Sequence, residues 1–151
     1  MCFDTLLRAL GLAYIGCLIA TPVPAHEVRA GELVIVHPYT IEPDSETATA
    51  ADVYMTIRNT SDRADRLLSV SSPMAAVALL QLPGRAAQPA SAGGHSNLEI
   101  APKSDTRLGP QGAHVALSGL KAPLYGYAGF ALLLTFEKAG TVELDVLVEE
   151  R

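Results

Sequence analysis

The sequence predicts an all-β domain of the Greek-key sandwich or barrel type. Three observations lead there. First, after Ala25 the chain breaks into about nine short runs rich in Val, Leu, Ile and Thr, separated by clusters of Gly, Pro, Asn, Ser and Asp. That spacing belongs to β-sandwiches and small barrels. Second, the one stretch with helical length, residues 9–18, lies in an apolar N-terminal segment. Third, the 151 residues are 49% apolar but only 5% aromatic, with no Trp. This is enough for one domain with an aliphatic core.

The first 25 residues read as a signal peptide. Residues 10–20 (LGLAYIGCLIA) are an unbroken apolar run, too short to span a bilayer, and Thr21-Pro22-Val23-Pro24-Ala25 ends it with small residues. Val23 and Ala25 suit the positions before a signal-peptidase cut. A lipoprotein signal ending at Ile15-Gly16-Cys17 is the alternative, with Tyr14 a poor fit. Cleavage after Ala25 makes residues 26–151 one periplasmic domain with no membrane segment. It also removes Cys2 and Cys17, the only cysteines. A mature chain without thiols has no disulfide framework, thiolate zinc site or Cys nucleophile.

The strands follow in order. Residues 32–37 (ELVIVH) form the first, and Pro38 ends it, with His37 at the strand end. In residues 51–58 (ADVYMTIR), Val53, Met55 and Ile57 share one face, so Met55 is a core residue. Asn59-Thr60-Ser61-Asp62 is a turn. Residues 66–71 and 76–82 are two more strands, with Met74 in the turn between them and Pro83-Gly84 closing the second. Residues 84–96 (GRAAQPASAGGHS) read as a flexible loop carrying His95. Residues 97–101 and 105–108 are short strands, and Gly109–Gly112 a turn into the strand 113–117. A loop over 121–127 precedes the pair 130–136 and 141–149, joined by Glu137-Lys138-Ala139-Gly140.

Few residues carry chemistry. A net charge of −5 argues against a nucleic-acid partner. No Ser stands in G-x-S-x-G, and there is no phosphate loop, H-E-x-x-H or dinucleotide glycine pattern, so the chain does not read as an enzyme. Glu42, Asp44 and Glu46 read as a solvated acidic loop. His26, His37, His95 and His114 follow the predicted cut, with Met55 and Met74 the mature methionines. His114 begins a strand; from the residues alone it reads as a half-exposed strand residue, with a metal ligand as the alternative. As a mature N-terminus, His26 offers an amine and an imidazole to one Cu(II); with a second histidine nearby, His114 or His37, this is the copper brace of the last-ranked reading, an enzyme.

Five segments in order, HEVRAGELVIVHPY (26–39), TAADVYMTIRN (49–59), DRADRLLSVSSP (62–73), GAHVALSGLKAPL (112–124) and LLLTFEKAGTVELDV (132–146), together resemble the periplasmic copper(I) chaperone family that serves the CuA centre of cytochrome c oxidase. They cover most of the mature chain. The resemblance implies a cupredoxin-like Greek-key β-sandwich. As partner it implies the CuA subunit or another periplasmic copper-handling protein, and as cofactor Cu(I). The family's ligand pattern is His-x10-Met-x21-His-x-Met. Anchored on His114, it places the first His on Gln81, the first Met on Ala92 and the last Met on Ala116. The metal position therefore carries over for His114 alone, with His95, or else Met74, as a substitute ligand. Both thioethers that suit a soft ion are gone. The expected function is a periplasmic copper carrier with weakened or altered copper binding; the alternative is a non-metal interaction or assembly module on the same scaffold.

Overall fold

In the computed structural model, residues 26–84, 95–124 and 129–151 are described. They form ten strands and no helix: β1 (Glu27–Ala30), β2 (Leu33–Ile41), β3 (Ala50–Asn59), β4 (Asp65–Ser71), β5 (Ala75–Gln81), β6 (His95–Ile100), β7 (Ser104–Leu108), β8 (His114–Leu120), β9 (Gly129–Phe136) and β10 (Gly140–Glu149). The nine strands read from the sequence are all present. The apolar N-terminal segment, including residues 9–18, lies outside the described residues, as do 85–94 of the expected loop and 125–128 of the next one.

Three readings need correction. β1 was hidden because its four residues, EVRA, hold one half-buried valine among charges. It forms as the first arm of a two-residue hairpin, Ala30 opposite Leu33, with Gly31 at φ 58°. A glycine with positive φ at the first central position is what such hairpins favour. Pro38 does not end β2. The register with β3 shifts between Val36 and Tyr39, so the residue without an N–H falls in a bulge and the strand resumes beyond it. His37 adopts φ 51° there and lies inside the strand. The last residues of the expected 84–96 loop, His95 and Ser96, begin β6.

The strands run in the order β5-β8-β3-β2-β10-β9-β4-β6, with β1 on β2 and β7 on β3. All pairs are antiparallel except β10 with β2. β5 opens this path, yet it packs against β4 and β6 at the far end, so the sheet curls over on itself. The enclosed face carries alternate residues of each strand: Val53, Met55 and Ile57 from β3, Val115 and Leu117 from β8, and Phe130, Leu132, Leu134 and Phe136 from β9, all 5% exposed or less. Each such side chain contributes about 1.5–3 kcal/mol by leaving water.

Candidate metal centre

The position anchored by His114 lies on the other pleat of the same strands. β8 is sandwiched between β5 and β3, so its outward residues face neighbouring strands on both sides of the sheet path. Gln81 stands directly opposite His114. Ala116 stands opposite Leu79 on one side and Asp52 on the other. Directly opposed residues of an antiparallel pair share a face, with Cβ atoms about 4.5–5.5 Å apart. Gln81, His114, Ala116 and Asp52 therefore occupy one patch of the outer face. The spacing that put the family's first His on Gln81 is matched by the cross-strand register.

His114 Nδ1 lies 3.0 Å from the Gly112 carbonyl oxygen. A carbonyl only accepts, so this bond makes Nδ1 the donor and leaves the lone pair of the neutral ring on Nε2. A ring held this way has the usual second contact of a metal-ligating histidine. Nε2 is 3.8 Å from Asp52 Oδ1, beyond hydrogen-bond range, and the side chains are 23% and 49% exposed.

Tyr54 flanks the same imidazole edge-on, with ring centroids 6.3 Å apart. Burial, then the Asp52 carboxylate and Tyr39, push its phenol pKa up. From Tyr54 a row of rings continues across the sheet, Tyr39 at 5.4 Å and then His37 stacked on Tyr39 at 4.8 Å. His37 Nε2 meets Glu149 Oε1 at 2.9 Å, and the His37 N–H donates to the carbonyl of His26 at 3.1 Å. This row joins residues from β2, β3 and β8, and sequence spacing holds no signal for it, because cross-strand register and the bulge at His37 set it.

Neither mature methionine serves His114. Met55 is 2% exposed and faces the core, away from Asp52 and Tyr54 on the same strand. Met74 packs against the core at the other end of β5, where Ala75 pairs with Leu120. That end is six residues along β8 from His114, about 20 Å at strand rise. Met74 is thus removed as a substitute ligand. The backbone of His95 pairs with Ser69 of β4, on the strand at the opposite end of the sheet path from β5 and β8. Among the described residues no three His, Cys, Asp or Glu side chains gather as a metal cluster. The acidic loop is tied down by an Asp44–Arg151 ion pair and a Glu42 N–H bond to the Glu149 carbonyl.

A curled ten-stranded sheet with an outward imidazole on β8 is a cupredoxin-like domain of the kind seen in copper-chaperone proteins. The chain belongs to the LpqE-like family, a family named for a lipoprotein, whose profile matches residues 23–148. Among solved structures it is similar to the copper-bound PCuAC domain from PmoF2, with 29% identity over 83% of this chain and 99% of that one, at a TM-score of 0.70. It is equally similar to the apo PCuAC domain from PmoF1, with 29% identity over 83% and 100% of the two chains, at a TM-score of 0.73. The Cu(I) form of DR1885 from Deinococcus radiodurans shares the fold, with 22% identity, 84% and 83% coverage and a TM-score of 0.55. No curated protein sequence matches the chain. The chaperone-family resemblance and the all-β cupredoxin-like fold read from the sequence are borne out.

Proposed function

We propose that this chain is an exported copper carrier, not an enzyme, and that His114 is a ligand to its cargo. The observation that carries this reading is the Nε2 lone pair of half-exposed His114 on β8, left open by the Nδ1–Gly112 contact, in a chain 29% identical to a copper-bound PCuAC domain. His95, at the start of β6, is the candidate second imidazole. The partner is a copper-accepting protein outside the cytoplasm, such as the CuA subunit. Residues 1–25 direct export. The family's lipoprotein name supports an N-terminus at Cys17 as the alternative to one at His26, and the mass of the exported chain separates the two.

A second ligand set is favoured by the His26–His37 contact. With Nε2–H of neutral His37 held by Glu149, its Nδ1 carries the lone pair. If export leaves His26 at the N-terminus, its amine and imidazole stand one strand away from His37. The test is copper stoichiometry and affinity of the purified chain, reduced and oxidised, for wild type, His114→Ala and His37→Ala. Loss with His114→Ala supports the first set and loss with His37→Ala the second. No copper affinity in any form ends the carrier reading and leaves the non-metal interaction module.

A further inference from the structure

The donors around His114 differ in kind from those the copper(I) family implies, and the register shows how. Where the family pattern places its last thioether, this chain has Ala116, and the side chain directly across from it on β3 is Asp52. Where the pattern places its first imidazole, the chain has Gln81, directly across from His114 on β5. At Ala116 and Gln81 the outer patch has thus lost one sulfur and one imidazole, and it keeps one imidazole beside a carboxylate and an amide. Both methionines of residues 26–151 are out of reach, one in the core and one about 20 Å away.

The spacing fits a shared ion. Two ligands each about 2.0–2.2 Å from one metal are separated by roughly 2.8–3.8 Å at coordination angles of about 90–120°. The 3.8 Å between His114 Nε2 and Asp52 Oδ1 lies at the upper end of that range and is too long for a direct hydrogen bond. The Nδ1–Gly112 contact already leaves the lone pair of the neutral ring on Nε2, the nitrogen nearer Asp52 Oδ1 in that pair. Imidazole and carboxylate suit a divalent ion of borderline hardness, whereas thioethers select Cu(I). Among divalent first-row ions Cu(II) binds such sites most tightly.

We infer that His114, Asp52 and Gln81 form an oxygen–nitrogen site that takes divalent copper in preference to Cu(I). This rests on the reading of the chain as a copper carrier and specifies the oxidation state that the carrier holds. The ion bridges β3, β8 and β5 on the outer face, with water completing its coordination.

The test is competition titration of the purified chain with Cu(II), and separately with Cu(I) under reductant, for wild type, Asp52→Asn and His114→Ala. Each is repeated with His37→Ala, so that the β1–β2 histidines do not supply the signal. Asp52 is half exposed, and Asn keeps its shape, so the fold is retained. The expected result is a loss of Cu(II) affinity in Asp52→Asn of at least about tenfold, the lower end of what even outer-shell changes cost. Cu(I) affinity stays unchanged in that variant, and His114→Ala abolishes Cu(II) binding together with the nitrogen coupling seen in the wild-type electron paramagnetic resonance spectrum. If Asp52→Asn leaves Cu(II) affinity unchanged, or wild type binds Cu(I) more tightly than Cu(II), the inference is overturned while the carrier reading stands. If no variant and no wild-type sample binds copper in either state, the carrier reading falls and takes this inference with it.

Discussion

Asp65 offers the sharpest test of how this sheet is held together. Its carboxylate is 5% exposed at the start of β4. Oδ1 accepts the N–H groups of Arg66 and Lys138 at 2.7 and 2.9 Å, and Oδ2 accepts that of Ala139 at 3.0 Å. One side chain thereby ties the β3–β4 corner to the turn between β9 and β10. Asp65→Ala removes three charge-assisted bonds and leaves three donors to find water. Each orphaned donor costs about 1–3 kcal/mol. Lys138 is exposed, so water partly compensates, and the lower half of the range applies. The expected loss is about 3–5 kcal/mol, or a fall of about 12–20 °C in Tm for a domain of this size. Asp65→Asn keeps one acceptor oxygen but turns an amide N–H₂ toward a donor. Placed with its oxygen at the Oδ1 position, it keeps two bonds and loses one, at a cost of about 1.5–3 kcal/mol. With no Trp, urea unfolding followed by tyrosine fluorescence and circular dichroism is the assay. A loss below about 1 kcal/mol in Asp65→Ala, or equal losses in Ala and Asn, refutes the reasoning, because the bonds would then not be what holds the corner.

Two further outcomes follow from the outer face. Gln81→His combined with Ala116→Met restores an imidazole and a thioether opposite and beside His114; Cu(I) affinity in a chelator competition should rise at least about tenfold, with stability changed by less than about 0.5 kcal/mol. Tyr54 has its phenol pKa raised in the fold by burial first and by Asp52 and Tyr39 next. The folded chain therefore holds that proton more tightly than the unfolded one. The resulting stability is present below the ordinary phenol value of 10.0 and is lost as pH climbs through the folded value. Alkaline ultraviolet titration should show one tyrosine ionising above 10.0, and Tyr54→Phe should remove that step.

Most of the fold was legible because period-2 alternation marks strands that bury one face. Val53-Met55-Ile57 on β3 and Phe130-Leu132-Leu134-Phe136 on β9 are such series. β1 escaped because its pairing comes from the Gly31 hairpin rather than from hydrophobicity. Pro38 misled because a proline that stops a regular strand is tolerated at a bulge. The candidate site was half legible. His114 and Gln81 emerged from spacing, and the register opposes them. Asp52 and the ring row from His37 to His114 were out of reach, because they depend on which residues face one another across β2, β3 and β8. The two methionines differ. Met55 was legible as core from its alternation with Val53 and Ile57, whereas Met74, a substitute ligand by its chemistry, is removed by distance.

The division of each strand into two pleats has an evolutionary consequence. On β8, Val115 and Leu117 are committed to the interior, while His114 and Ala116 point the other way. Exchanging a donor on the outward series changes what ion the surface welcomes and leaves the packed interior untouched. Such a scaffold lets lineages diverge in metal preference one side chain at a time, with no folding crisis between one chemistry and the next.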